Sequence, residues 1–195
     1  MTHVLALAAF LLASPSFAME AQVGEAAPTF SLADVDGNTV SLADYKGKTV
    51  VLEWFNPGCP FVVRAHGDKG SLETLAADQA KEDVAWLAIN SGAVGNQGHG
   101  VETNKAAIKK WNLQHPVLLD EDGKVGKAYG ATTTPHMYVV DANGVLVYAG
   151  AIDNNPRGIE TQNVKNYVSQ ALAQMKAKQP VKPPQTKPYG CSVKY

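Results

Sequence analysis

The chain has 195 residues, with 17 Lys+Arg against 18 Asp+Glu and a formal net charge of −1. That balance gives no basic face for nucleic acid, and a hydrophobic content of 45% excludes intrinsic disorder. Two cysteines are too few for a disulfide-stapled scaffold or a cysteine-rich zinc site; they allow one bridge or one reactive pair.

Residues 4–13 (VLALAAFLLA) are an apolar run too short to span a bilayer. Ser16-Phe17-Ala18 follows as a small-residue cleavage signature, so residues 1–18 are expected to be a secretory signal peptide. No other segment is long and apolar enough to cross a membrane, and the expected location is periplasmic or secreted. Residues 19–177 are expected to form one domain and 178–195 a proline-rich tail.

Phe30–Ala33 and Thr39–Ser41, joined through Asp36-Gly37-Asn38, predict an N-terminal hairpin. Thr49–Phe55 is a largely apolar run that suits a central strand covered on both faces. Asn56-Pro57-Gly58 breaks it, and a helix is expected from Pro60. A second helix is expected over Ser71–Ala80 and a buried strand over Val84–Ile89. The glycine-rich stretch Ser91–Gly100 lacks the ending of a phosphate loop and is expected to be a mobile surface loop near the site. Thr103 is the expected N-cap of a helix bearing Ala107, Ile108 and Trp111 on one face. Val117–Leu119 is a short strand, and a short helix lies near Val125–Tyr129. Met137–Val140 and Val145–Tyr148 flank the turn Asp141–Gly144. Val164, Val168, Leu172 and Met175 recur at helical spacing and predict a last amphipathic helix. This order predicts an α/β fold with a central mixed β-sheet flanked by helices. Trp54, Trp86 and Trp111 are expected in the core.

Cys59 falls between the central strand and Pro60, a residue favoured at the first helical position. A cysteine at that N-cap feels the positive helix end and free N–H groups, which favour the thiolate. Arg64, one turn on, is expected to add positive charge. Glu53 stands in an apolar strand; if buried, its pKa should rise, and it could move a proton as Cys59 ionises. Cys191 lies on the tail. A reversible dithiol pair with Cys59, a static bridge, or pairing with another protein are all open from the sequence. His66, His99, His115 and His136 form no ligand run, and no metal or other cofactor is expected; His136 is expected to be a polar strand-end residue.

The stretch Val51–Val62 resembles the active-site segment of the thioredoxin superfamily, with Cys59 on the first cysteine of C-x-x-C and Val62 where the second would stand. Thr134-Pro135 resembles that fold's cis-proline loop, and Glu53 matches its buried acid. Cys59–Val62, Thr133–Met137 and Pro188–Tyr195 together resemble the exported peroxiredoxin-like and TlpA-like redoxins. The resemblance implies a thioredoxin-like fold, with Cys59, Cys191 and Glu53 catalytic and Thr134 and Pro135 facing the substrate. It implies an exported thiol–disulfide oxidoreductase acting on protein or small-molecule thiols and disulfides with a thiol electron donor. A copper-binding redoxin and a thiol peroxidase are the alternatives. The P-x-x-x-[TS]-x-x-C pattern of peroxiredoxins is absent, since Leu52 and Asn56 occupy its fixed positions.

Overall fold

The computed structural model describes residues 20–160 and 162–195. The expected signal peptide lies outside them. Among the described residues no helix is long and apolar enough to cross a membrane.

The strands are β1 (Ser31–Asp34), β2 (Thr39–Ser41), β3 (Thr49–Trp54), β4 (Val84–Asn90), β5 (Val117–Leu119), β6 (Thr133–Thr134), β7 (His136–Val140), β8 (Leu146–Gly150) and β9 (Cys191–Ser192). The helices are α1 (Pro60–His66), α2 (Leu75–Ala80), α3 (Val101–Trp111), α4 (Lys124–Ala128) and α5 (Tyr167–Lys176). Seven strands form one sheet in the order β2-β1-β5-β4-β3-β7-β8. β3 runs parallel to β4 and antiparallel to β7, so the sheet is mixed as expected.

β3 explains its central place. Its alternate residues serve two cores, as the two-residue period of a strand requires. Leu52 and Trp54 pack with Leu87, Ile89 and Tyr138 on one face. Val51 packs with Trp86, Met137 and Tyr148 on the other, where α5 delivers Val168 and Leu172. Trp54 and Trp86 are core residues, and each indole N–H has a partner: Ser91 Oγ at 3.0 Å and Glu53 Oε2 at 3.1 Å.

Several local expectations need correction. Helix α3 begins two residues before Thr103, because Gly100 takes φ +96° and turns the chain sharply into the helix. The Asn104 side chain fixes that entry by donating to Gly100 O at 2.8 Å. Helix α5 starts only after Asn166, whose side chain accepts the Ser169 N–H at 2.9 Å; Val164 therefore lies outside the helix, exposed. The second helix is shorter than expected, with Ser71–Thr74 in turns. A 3-10 turn at Leu42–Tyr45 and the small β6–β9 sheet were not expected. The glycine-rich loop is not free: Asn56 and Asn90 donate to the carbonyls of Gln97 and Gly98 at 3.0 and 2.9 Å, and Gln97 Nε2 donates to Gly58 O at 2.9 Å.

After α5 the tail returns along the open edge of the sheet. Ala149 N–H donates to Pro184 O and Thr186 N–H to Ala149 O, both at 3.1 Å. The tail then crosses the end of the sheet where Cys59 lies and pairs antiparallel with β6, Thr134 opposite Cys191.

Candidate active site at Cys59

Cys59 is the N-cap of α1, with extended backbone angles and Pro60 following at the first helical position. Phe55 and Val62 wall it in, and its exposure is 0%. The Thr134–Pro135 peptide bond is cis, and the Cys59 thiol donates to the Thr134 carbonyl at 3.0 Å. Cys191 packs against the same cluster, half-buried; both cysteines are free thiols, not joined in a disulfide. The structure thus brings Cys59, Cys191 and Thr134 together, with Pro135 beside them.

The two thiols are electrostatically unlike. Burial works to raise the Cys59 pKa, but the Thr134 and Cys191 side chains and the N–H groups of Val62 and Cys191 outweigh it and hold the thiol below its ordinary value. Burial and the neighbouring Cys59 push Cys191 up to about 11. The Thr134 hydroxyl is buried and, among the described residues, makes no hydrogen bond while Cys59 is a thiol. Beside the sulfur it is a donor waiting for charge, so ionisation of Cys59 would relieve an unpaired polar group.

Arg64 does not supply the expected charge. Its guanidinium donates to Pro156 O at 2.9 Å and lies over the Phe61 ring. His136, the expected polar strand-end residue, is buried with its ring Nδ1 3.1 Å from the Tyr138 hydroxyl. Burial lowers its pKa to about 4, which leaves it neutral.

Glu53 is buried at 0% exposure, but its carboxylate is bonded to other groups than the cysteines. One oxygen lies 2.7 Å from His66 Nε2, and the other accepts the Trp86 N–H. The expected rise in its pKa is reversed. Burial pushes up, yet attraction and hydrogen bonding to His66, helped by His115 and Trp86, bring the carboxyl below its ordinary value. Sequence reasoning missed His66 as this partner. A signal was available: His66 follows Val62 by four residues, so both share the buried face of α1.

Comparison with known proteins agrees with this geometry. Residues 22–168 match the Redoxin family. The chain is 34% identical over 136 residues to a chloroplastic peroxiredoxin Q of Oryza sativa subsp. japonica, covering 64% of this chain and 57% of that protein. It is 26% identical over 136 residues to a thiol-disulfide oxidoreductase ResA of Bacillus thuringiensis, covering 65% of this chain and 68% of that one. The match therefore spans little more than half of the peroxiredoxin's length. An uncharacterized conserved protein of Geobacillus kaustophilus has a crystal structure with TM-score 0.80 and 32% identity, covering 89% of this chain and 92% of that one. With its mixed sheet, a cysteine capping α1 and a cis-proline facing it, this chain belongs to the Redoxin family and has a thioredoxin-like fold.

Proposed function

We propose that the protein is an exported thiol–disulfide oxidoreductase in which Cys59 is the nucleophile and Cys191 the resolving cysteine. One observation carries the reading: Cys191 stands opposite Thr134, whose carbonyl accepts the Cys59 thiol. The Cys59 thiolate attacks a substrate disulfide, forms a mixed disulfide and expels one substrate thiolate. Cys191, as thiolate, then attacks the Cys59 sulfur and releases the second substrate thiol. The substrate gains two electrons, the protein holds a Cys59–Cys191 disulfide, and an external thiol donor restores both thiols. The lowered Cys59 pKa suits the attack. The Thr134 hydroxyl steadies the thiolate, and Pro135 shapes the backbone that a peptide substrate would face. Glu53 acts at a distance, through the packing of α1 against β3. Export rests on residues 1–18.

Thiol peroxidase chemistry is the second reading, favoured by the similarity to peroxiredoxin Q and opposed by Leu52 and Asn56. Copper binding has less support, since among the described residues no three His, Cys, Asp or Glu side chains gather as a metal site. Alkylation with and without reductant, followed by mass spectrometry, tests the proposal. A Cys59–Cys191 bond that forms with oxidised glutathione and opens with reduced glutathione is the expected result. Two thiols that stay free with oxidised glutathione, or a bond that never opens, would refute it.

A further inference from the structure

Residues 186–195 are fastened to the body at points on both sides of Cys191. Upstream, Thr186 Oγ1 accepts the Ala151 N–H at 2.9 Å, and the Tyr189 hydroxyl donates to Asp153 Oδ1 at 2.5 Å. The Gly190 backbone then crowds the Thr134 carbonyl. Downstream, Val193 N–H donates to Thr132 O, and Lys194 O accepts from Ala93 N–H at 2.8 Å and from Asn96 Nδ2 at 3.0 Å. Tyr195 closes the series. Its hydroxyl donates to Ala131 O at 2.7 Å, and its ring lies on Gly123 and Gly126 of the α4 turn. A Cβ on Gly126 would sit 2.5 Å from the Tyr195 hydroxyl oxygen, so the seat needs a bare backbone there. Lys127 Nζ stands 5.4 Å from the ring centroid.

β9 has only two residues, and a strand that short does not offset the chain entropy lost in ordering it. Its register over Cys59 must come from its fastenings. Tyr189 fixes the approach of the tail; beyond Cys191, Val193 packs against the Leu52 and Trp54 face of the core, and Tyr195 brings the largest side chain, four residues on.

We propose that Tyr195 is a positioning residue for Cys191: seated on α4, it holds residues 190–195 in register over Cys59. It thereby favours the Cys59–Cys191 disulfide and shields Cys59 from competing reagents. The first consequence rests on the proposed cysteine pair; the second does not. With Tyr195 unseated, the effective concentration of Cys191 at Cys59 falls, as for any tethered group that loses its anchor. The body of the sheet is untouched.

The test uses the full chain with Tyr195→Ala and Tyr195→Phe, each with Cys191 intact and with Cys191→Ser. Redox equilibration against glutathione should show the disulfide of Tyr195→Ala about tenfold less stable, or about 30 mV more oxidising. Tyr195→Phe keeps the ring and loses one hydrogen bond, so its shift should be about threefold. In the Cys191→Ser background no pair can form, and iodoacetamide should alkylate Cys59 about tenfold faster when Tyr195→Ala is added. Thermal unfolding of both variants should stay close to that of the parent. Unchanged alkylation in that background would overturn the shielding, and an unchanged disulfide stability in Tyr195→Ala would overturn the positioning role, even if the pair is real. A parent protein that forms no Cys59–Cys191 bond would overturn the pair, and the alkylation rates would still decide the shielding. Faster alkylation together with a large fall in unfolding temperature would overturn the proposal in favour of a general loss of structure.

Discussion

The two cysteines meet at one place but are held there by different kinds of structure. Cys59 sits where a central strand turns into a helix, buried with Phe55 and Val62. Cys191 sits on a two-residue strand held by isolated hydrogen bonds, two tyrosines and the partial burial of Cys191 and Val193. The first position cannot change without disturbing the sheet, whereas the second can. The nucleophile is therefore built into the fold, and its partner is attached to it.

The largest expected effect separates the two cysteines directly. Cys59→Ser should reduce exchange with a disulfide substrate to the background rate. Cys191→Ser should still form a mixed disulfide but resolve it about a hundredfold more slowly, leaving an adduct visible by mass spectrometry. Equal effects of the two changes would break the comparison.

Damage to the body should cost stability. Glu53→Ala leaves His66 buried without its carboxylate and should destabilise by about 3–5 kcal/mol in urea unfolding. Acid should act on the same region. His136 is held at about 4 against an ordinary 6.5, so between those values the unfolded chain binds a proton that the folded chain refuses. Stability should fall with falling pH by about 1.4 kcal/mol per unit from this residue, roughly 2 kcal/mol between pH 6.5 and 5. Glu53, lowered in the folded state, contributes stability above the ordinary carboxylate range and loses it as pH falls through its lowered value. Urea titrations at several pH values would show whether the loss begins near 6.5.

Damage to the tail should cost pairing instead. Gly190 has φ +149°, and a Cβ there would lie 2.1 Å from the Thr134 carbonyl oxygen. Gly190→Ala should therefore slow Cys59–Cys191 bond formation roughly tenfold while unfolding stays within about 1 kcal/mol of the parent. Thr134→Val touches both regions. It should raise the pH midpoint of Cys59 alkylation by about one unit, measured with the tail released. The smallest effect belongs to Val164→Asp, within about 0.5 kcal/mol, because that side chain is exposed ahead of α5.

The sequence showed the body more clearly than the tail, for a physical reason. β3 and β4 declare themselves by apolar runs, and Cys59 by the Pro60 after it. These are local signals. β6 and β9 have no such pattern, since Thr133-Thr134 and Cys191-Ser192 become strands only by finding each other across the chain. The Glu53–His66 contact is likewise nonlocal, and it reversed an expectation drawn from burial alone. Val164 failed differently: its helical spacing was real, but the capping side chain of Asn166 set the boundary two residues later.

The tail also has a consequence for the protein outside its chemistry. β8 is the last strand of the sheet, and Gln185 bridges to Ala149 along its free side. An uncovered strand edge invites pairing with another molecule. The contacts at Pro184 and Thr186 precede Tyr189, so displacing the residues that carry Cys191 would not require breaking them. Opening the thiol site then need not make the protein sticky, and its colloidal stability should be independent of its redox state.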